Sequence, residues 1–145
     1  MKSNFSKLPT YICLLMLIAV FISCTKYDNV IPKPEIMIYQ QDSWNEYLSG
    51  HVLGVDSKLY NLAIYANIND SWYNLPDAIS PLTSISEDGV WTCYVEIGSQ
   101  DLISRLSIYL LPTGYFPPIL DGERMVPLKI NLVAAAKKTI IFERN

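Results

Sequence analysis

His51 is the only histidine among the 145 residues, so any Ser-His-Asp hydrolase site would have to be built on it. The nucleophile of many such enzymes lies in a Gly-x-Ser-x-Gly turn, and the sequence contains no such pentapeptide. Glu87 and Asp88 are adjacent in a turn, whereas the two carboxylates of a glycosidase face each other across about 5–10 Å of cleft. Asp88 precedes Gly89, where an Asp has a conformational role in the turn. These residue types and spacings predict no catalytic site.

Metal-binding residues are equally sparse in the sequence. A structural zinc site needs about four Cys, His or carboxylate ligands. His51 and Cys93 do not supply them, and Cys93 is the one cysteine expected to remain as a free thiol once the leader is removed and Cys24 is lipidated, as described below. A calcium ion held by loop carboxylates at Asp56, Asp70 or Asp88 stays open as an alternative, although no EF-hand pattern is present. We predict no metal site and no cofactor.

Aromatic residues in predicted loops are the better candidates for a binding site. Trp72 and Tyr73 follow a predicted turn, and Tyr115 and Phe116 lie in a proline-rich stretch. Sugars present apolar C–H faces that stack on aromatic rings, so these four side chains would form a glycan platform if their loops meet. The alternative is that Trp72 and Phe116 cap the hydrophobic core, because aromatic side chains dominate core energetics. Trp91, in phase with Cys93, is predicted to be a core residue.

The elements that would position these side chains are predicted to be β-strands. From Glu35 onward, short β-branched and aromatic runs alternate with Gly, Pro, Asn and Asp clusters, which is typical of a β-sandwich or barrel. The sequence predicts about seven strands, near residues 35–40, 48–55, 60–68, 71–74, 90–97, 102–111 and 137–144. Residues 75–84 are predicted to be a loop, and Ala134–Ala136 is the one place where a helical turn is expected. The predicted fold is therefore an all-β, immunoglobulin-like sandwich.

The N-terminus has the features of a secretory leader. Lys2 and Lys7 form a basic end without acidic residues, and about a dozen apolar residues follow from Tyr11. A membrane-spanning helix needs roughly 20 apolar residues, and polar residues return too early here. Phe21-Ile22-Ser23-Cys24 resembles the lipobox of bacterial lipoproteins, with the small Ser23 before the cysteine and a relaxed match at the two preceding positions.

What this resemblance implies is a cleaved leader at residues 1–23 and a lipidated Cys24. Residues 24–34 would be a tether, and residues 35–145 the sandwich domain. Several acyl chains on Cys24 would anchor the protein stably, whereas one chain holds a protein only marginally. Thr25, in place of the Asp that often retains lipoproteins at the inner membrane, favours the outer membrane, with the side of that membrane left open. The alternatives are an ordinary signal peptide with a free Cys24 and a transmembrane anchor.

Charge and cysteine content narrow the function classes. Without the leader the chain has 122 residues, with 9 basic and 14 acidic side chains and a net charge of −5. This negative net charge argues against nucleic-acid partners and against electrostatic binding to anionic lipid. Cys13 is lost with the leader and Cys24 carries lipid, so Cys93 is expected to be a buried, inert thiol.

A series of short motifs between Leu48 and Pro118 resembles a small immunoglobulin-like accessory module of secreted bacterial proteins, often found beside carbohydrate-active enzyme domains. The motifs are Gly50, Gly54-Val55-Asp56, Tyr60, Ala63-Ile64-Tyr65, Ser71-Trp72-Tyr73, Ser80–Ile85, Asp88-Gly89-Val90-Trp91, Ile108–Pro112, Gly114-Tyr115 and Pro117-Pro118. The resemblance implies an accessory role, with carbohydrate binding as one version of it, and no catalytic activity. No catalytic domain accompanies the module here, which departs from that setting.

The sequence therefore predicts a non-catalytic, lipid-anchored protein of the cell envelope. One interpretation is a glycan-binding module that acts through Trp72, Tyr73, Tyr115 and Phe116. The other is a structural or protein-interaction subunit of an envelope complex. Coplanar exposed aromatic rings would favour the first interpretation, and an open edge strand or apolar patch would favour the second.

Overall fold

The computed structural model describes residues 32–39, 47–95 and 103–142, and nine β-strands lie within them. No α-helix occurs in these ranges, and two 3₁₀ helices lie at Ser57–Leu59 and Leu128–Leu132. The strands are β1 (Glu35–Ile38), β2 (Tyr47–Leu53), β3 (Tyr60–Ile68), β4 (Ser71–Leu75), β5 (Leu82–Ser84), β6 (Val90–Tyr94), β7 (Ile103–Pro112), β8 (Asp121–Glu123) and β9 (Ala136–Ile141).

Two antiparallel sheets form a sandwich. The smaller sheet has the order β1-β2-β6, and the larger has the order β8-β4-β3-β7-β9, with β5 also paired to β3. The arrangement β1-β2-β6 against β4-β3-β7-β9 corresponds to strands A-B-E against C′-C-F-G of an immunoglobulin-like sandwich. The prediction of an all-β sandwich is confirmed.

The inter-sheet core is built from alternate residues of the facing strands. Leu62, Ile64 and Ala66 of β3 point into it from the larger sheet. The alternate residues Leu106, Ile108 and Leu110 of β7 pack beside them. The smaller sheet contributes Ile36, Leu48, Val52, Trp91 and Cys93. Each set follows the two-residue period of a strand, which is why the sequence predicted these faces correctly.

Trp91 occupies the centre of this core and requires a glycine opposite it. Its side chain is 1% exposed, and Gly50 is its register partner on β2. A Cβ atom on Gly50 would lie 2.6 Å from the Trp91 ring. Residue 50 therefore has no room for a side chain, and the prediction of Trp91 as a core residue is confirmed.

A tight turn joins β3 to β4, as the Asn-Asp pair predicts. Asn69 and Asp70 both have positive φ, at 49° and 65°. This is the conformation of a two-residue type I′ turn, which matches the twist of the strands it joins and is well tolerated by Asn and Asp. The turn fixes the register of β3 and β4 and therefore decides which face of the sheet receives Trp72 and which receives Tyr73.

The larger sheet is buried on both faces along its central strands, β3 and β7. Its outer face carries a second apolar cluster, made of Ala63, Tyr65, Trp72, Tyr109, Leu111, Leu120 and Ile130. Leu120 and Ile130 come from residues 113–135, which we call the covering segment because they lie over this face. As a consequence Leu62–Asn67 are buried without interruption, because the polar alternation of a half-exposed strand is lost in a doubly covered one.

Three details differ from the sequence-based expectations. The stretch 75–84 contains the short strand β5, which pairs with β3, and β8 was not anticipated. The helical turn lies at Leu128–Leu132, while Ala136 already begins β9. In each case tertiary contacts determine the secondary structure. A three-residue strand is too short to show a period, and helix propensity is a weak local preference.

Candidate functional site

His51, Ser86 and Asp88 lie close together, and their hydrogen bonds hold a turn of the backbone. The Nε2 atom of His51 lies 2.6 Å from the backbone oxygen of Asp88 and donates to it. The Ser86 hydroxyl lies 2.6 Å from the Asp88 carboxylate and 2.5 Å from the Val90 carbonyl oxygen. In a catalytic triad the histidine bonds both the nucleophile and the carboxylate. Here these hydrogen bonds instead close the turn between β5 and β6.

Cys93 lies in the core, as expected. Its side chain is 2% exposed, and burial raises the pKa of its thiol to about 11. A thiol with this pKa stays protonated at neutral pH and is a poor nucleophile, because the thiolate is the reactive form. The position therefore supports the expected role as an inert core residue.

Trp72, the first of the four predicted platform residues, is buried. Its side chain is 8% exposed and belongs to the cluster under the covering segment. A sugar could not stack on a ring that already packs against protein on its faces. In this structure Trp72 therefore has the core position that was the alternative interpretation of the sequence.

Tyr73 points away from Trp72. It is paired with Ala66, whose side chain faces the inter-sheet core, whereas Trp72 is paired with Asn67 on the outer side of the sheet. Successive residues of a strand point to opposite faces, so these two rings do not share a surface. Tyr73 is half-buried near the edge strand β8, and its hydroxyl lies 3.5 Å from the position of a Cβ atom on Gly122.

Tyr115 and Phe116 also separate. Tyr115 is half-buried and packs against the same cluster as Trp72, while Phe116 is 88% exposed. The other large exposed apolar side chains of the covering segment are not aromatic: Ile119, Met125, Leu128, Leu132 and Val133. The structure thus brings Tyr115 to the cluster of Trp72, and it leaves Tyr73 and Phe116 elsewhere.

A different set of aromatic side chains shares an exposed surface. Tyr39, Tyr47 and Tyr94 are 46%, 50% and 42% exposed and lie on the outer side of the smaller sheet. Tyr47 and Tyr94 are directly opposed on β2 and β6. The amide of Tyr39 bonds the carbonyl oxygen of Ser49, two residues along from Tyr47, so the three rings project from the same face. We call these three side chains the tyrosine face.

The rings of the tyrosine face are inclined to each other. The centroids of Tyr47 and Tyr94 are 5.6 Å apart and their planes meet at 65°. Such an edge-to-face pair is itself favourable, and it leaves half of each ring open to solvent. These two rings are therefore not coplanar, in contrast to the flat platform expected of a sugar site, and a glycan would have to follow a ridge of tilted rings.

The polar surroundings of the tyrosine face are uncharged at its centre. Ser49 and Thr92 are register partners that place hydroxyl groups beside the tyrosines. Among the described residues of β1, β2 and β6 that point outward, Glu35 is the only carboxylate, and none is Lys or Arg. Hydroxyl groups beside aromatic rings fit a neutral ligand that has both hydroxyl groups and apolar faces.

Sequence reasoning missed this surface, although part of the signal was present. Alternation in β6 predicts Thr92 and Tyr94 opposite the core residues Trp91 and Cys93, as observed. Tyr47 precedes the strand predicted near residues 48–55, whereas β2 begins at this residue. β2 and β6 become neighbours because the chain between them passes through the larger sheet and then returns to the smaller one. Local sequence patterns do not specify this path.

Among residues 32–39, 47–95 and 103–142, no three His, Cys, Asp or Glu side chains are grouped as they would be around a metal ion. No helix in the described part of the chain has the length and apolar character needed to cross a bilayer. The leader and Cys24 lie outside the described residues, so lipidation stays a prediction. Comparisons with protein-family models, curated proteins and solved structures found no match.

Proposed function

We propose that this chain is a non-catalytic, lipid-anchored protein of the cell envelope whose sandwich domain binds neutral glycan chains. The observation that carries the proposal is the tyrosine face: three half-exposed rings on one side of a rigid sheet, beside the hydroxyl groups of Ser49 and Thr92. Binding sites on strands are held more precisely than sites on loops. The sequence resemblance to accessory modules of carbohydrate-active enzymes supports the same ligand class.

The chemistry of the surface matches a sugar chain in two respects. The face of an aromatic ring carries partial negative charge and attracts the polarised C–H bonds of a pyranose. The hydroxyl groups of Ser49 and Thr92, together with the phenol groups, both donate and accept hydrogen bonds, as sugar hydroxyl groups require. An anionic glycan is disfavoured because no cationic side chain projects from the described outer face of this sheet.

Anchoring and location complete the proposal. A lipidated Cys24, followed by the tether that ends near Pro34, would hold the domain close to the outer membrane. Anchoring on acyl chains leaves the sheet faces free for ligand, because no part of the sandwich has to enter the bilayer.

The test is a glycan-array screen of the full chain in detergent, followed by titration calorimetry on any hit. The Tyr47→Ala/Tyr94→Ala double variant is expected to bind about 10- to 100-fold more weakly, since each stacked ring contributes about 1 kcal/mol. Phe116→Ala removes an aromatic ring of greater exposure away from the tyrosine face and serves as the matched control. Binding to no neutral glycan, or equal loss in Phe116→Ala, would exclude the tyrosine face as a glycan site.

A further inference from the structure

A cleft of about 580 Å³ opens between the two sheets at the side where β1 and β9 approach each other. One wall is made by Glu35–Tyr39, and the opposite wall by Lys138, Ile140 and Phe142. Its volume lies in the range of ligand-binding sites, about 300–1,000 Å³. The cleft adjoins the tyrosine face on the outer side of the smaller sheet: Tyr39 and Tyr47 border both surfaces, and Ser49 also lines the cleft.

The wall on the side of β1 is the edge of a strand. All five consecutive residues from Glu35 to Tyr39 contribute to the lining, whereas a wall made by the face of a strand would show only alternate residues. Among the described strands β1 is paired with β2 alone. Its second edge therefore faces the cleft.

Hydrogen bonding within β1 shows which amide groups face the cleft. The amide of Tyr39 donates to Ser49 on β2. In an antiparallel pair, hydrogen bonds to the neighbour alternate with residues whose N–H and C=O groups point the other way. The backbone groups of Ile36 and Ile38 consequently point towards the open edge, which is the arrangement that accepts a further strand.

The opposite wall consists of alternate side chains of one strand and the residue after it. Lys138 and Ile140 are paired with Ile108 and Leu106, whose side chains face the inter-sheet core, so both project from β9 towards the cleft. Ile140, together with Ile36, Ile38 and Leu48, makes the base of the cleft apolar. Among the described lining residues, Lys138 is the cation and Glu35 is the anion. An inward-facing lysine on an edge strand also discourages pairing with unselected strands.

We propose that this cleft is a docking site for an extended segment of a partner protein, which adds a fourth strand to the smaller sheet at β1. The segment has apolar residues at alternate positions, packed against Ile38 and Ile140, and an acidic residue opposite Lys138. Its backbone bonds the free N–H and C=O groups of Ile36 and Ile38.

The features of the cleft select this occupant. An acyl chain would cover the open edge of β1 and leave the N–H and C=O groups of Ile36 and Ile38 without hydrogen-bonding partners, which is costly. A single extended segment satisfies the edge, the apolar base and the cation together.

The test uses the full chain in detergent and a synthetic peptide, acetyl-Thr-Asp-Thr-Val-Thr-Val-Thr-amide, with binding followed by titration calorimetry. The acidic residue and both valines lie on one face of this peptide when it is extended. We expect saturable binding, weakened at least tenfold when the aspartate of the peptide is replaced by lysine. In the Lys138→Glu protein variant the preference should reverse, so that the lysine peptide binds more tightly than the aspartate peptide.

A second pair of variants tests the backbone edge. Ile38→Pro removes the N–H that points into the cleft while keeping the bonds of β1 to β2, since proline is tolerated at such positions of edge strands. We expect at least tenfold weaker peptide binding in Ile38→Pro and unchanged binding in the control Ile38→Val. The proposal is overturned if neither peptide binds the native protein saturably. It is also overturned if binding is indifferent to Lys138→Glu, or if the native chain forms a dimer that Ile38→Pro dissociates.

Discussion

The carboxylate of Asp88 is fully exposed, yet its immediate neighbours hold it in one position. The Ser86 hydroxyl and the Val90 amide both bond it and lower its pKa below the ordinary value of 3.8. His51 binds the backbone of the same residue, and Gly89 adopts a φ of +85° with its α-carbon close to the His51 ring. At the scale of single residues, His51, Ser86 and Asp88 are the residue types of a hydrolase triad, and here they hold the turn between β5 and β6.

The lowered pKa of Asp88 predicts a pH dependence of stability. A carboxyl group with a depressed pKa in the folded state stabilises the protein above its unfolded pKa, and this stabilisation is lost as the pH falls through the folded pKa. The native chain should therefore exceed Asp88→Asn in unfolding free energy at pH 5–7. The difference should decrease as the pH falls below 3.8 and disappear once the pH is below the lowered pKa of the folded state.

Urea unfolding at a series of pH values, followed by circular dichroism, measures this difference. Glu87→Gln is the neighbouring control, because Glu87 makes an exposed ion pair with Lys58 at 2.9 Å and such pairs contribute little. A stability difference for Asp88→Asn that persists unchanged to pH 2.5 would contradict the assignment.

At the scale of elements, the covering segment is tied to the larger sheet by specific hydrogen bonds. The Tyr65 hydroxyl donates to the carbonyl oxygen of Pro118 at 2.9 Å. The amide of Leu120 donates to the Asn74 side chain, and the amide of Asn74 donates to the Leu120 carbonyl oxygen. Burial raises the pKa of Tyr65, so its hydroxyl remains a donor over the whole working range of pH. These bonds hold the segment over the cluster that contains Trp72.

Removal of the Tyr65 hydroxyl should loosen the covering segment locally. We expect Tyr65→Phe to lower the unfolding free energy by about 1 kcal/mol, because the Pro118 carbonyl loses its partner while the ring still fills the cluster. In hydrogen exchange, the amides of Asn74 and Leu120 should be exposed sooner, whereas the amides of the β3–β7 ladder should keep their protection.

Tyr60→Phe provides the comparison for this experiment, because Tyr60 is a tyrosine of the same strand that packs against the inter-sheet core instead. Equal exchange of Leu120 in the native chain and in Tyr65→Phe would show that apolar packing alone retains the segment.

At the scale of the whole molecule, the lipid anchor can be tested independently of any ligand. We expect labelled palmitate to be incorporated into the native chain and into Cys93→Ser, but not into Cys24→Ser. The physical reason is that Cys24 follows the small residue Ser23 at the end of the apolar leader, whereas Cys93 is buried in the core. Detection of the label after gel separation of membrane fractions is the measurement. Labelling of Cys24→Ser would contradict lipidation at this residue.

The sequence by itself determined the all-β class, most strand positions and the residues of the inter-sheet core. It could do so because a strand with one buried face carries its own two-residue period, as Leu62, Ile64 and Ala66 show, and because Asn69-Asp70 specifies its turn locally. The tertiary structure alone decided the rest. Trp72 is buried because the covering segment lies over it. Tyr47 and Tyr94 meet because β2 pairs with β6, although the two residues are 47 positions apart in the sequence. The cleft between β1 and β9 joins residues about a hundred positions apart, and no local pattern encodes contacts over such separations.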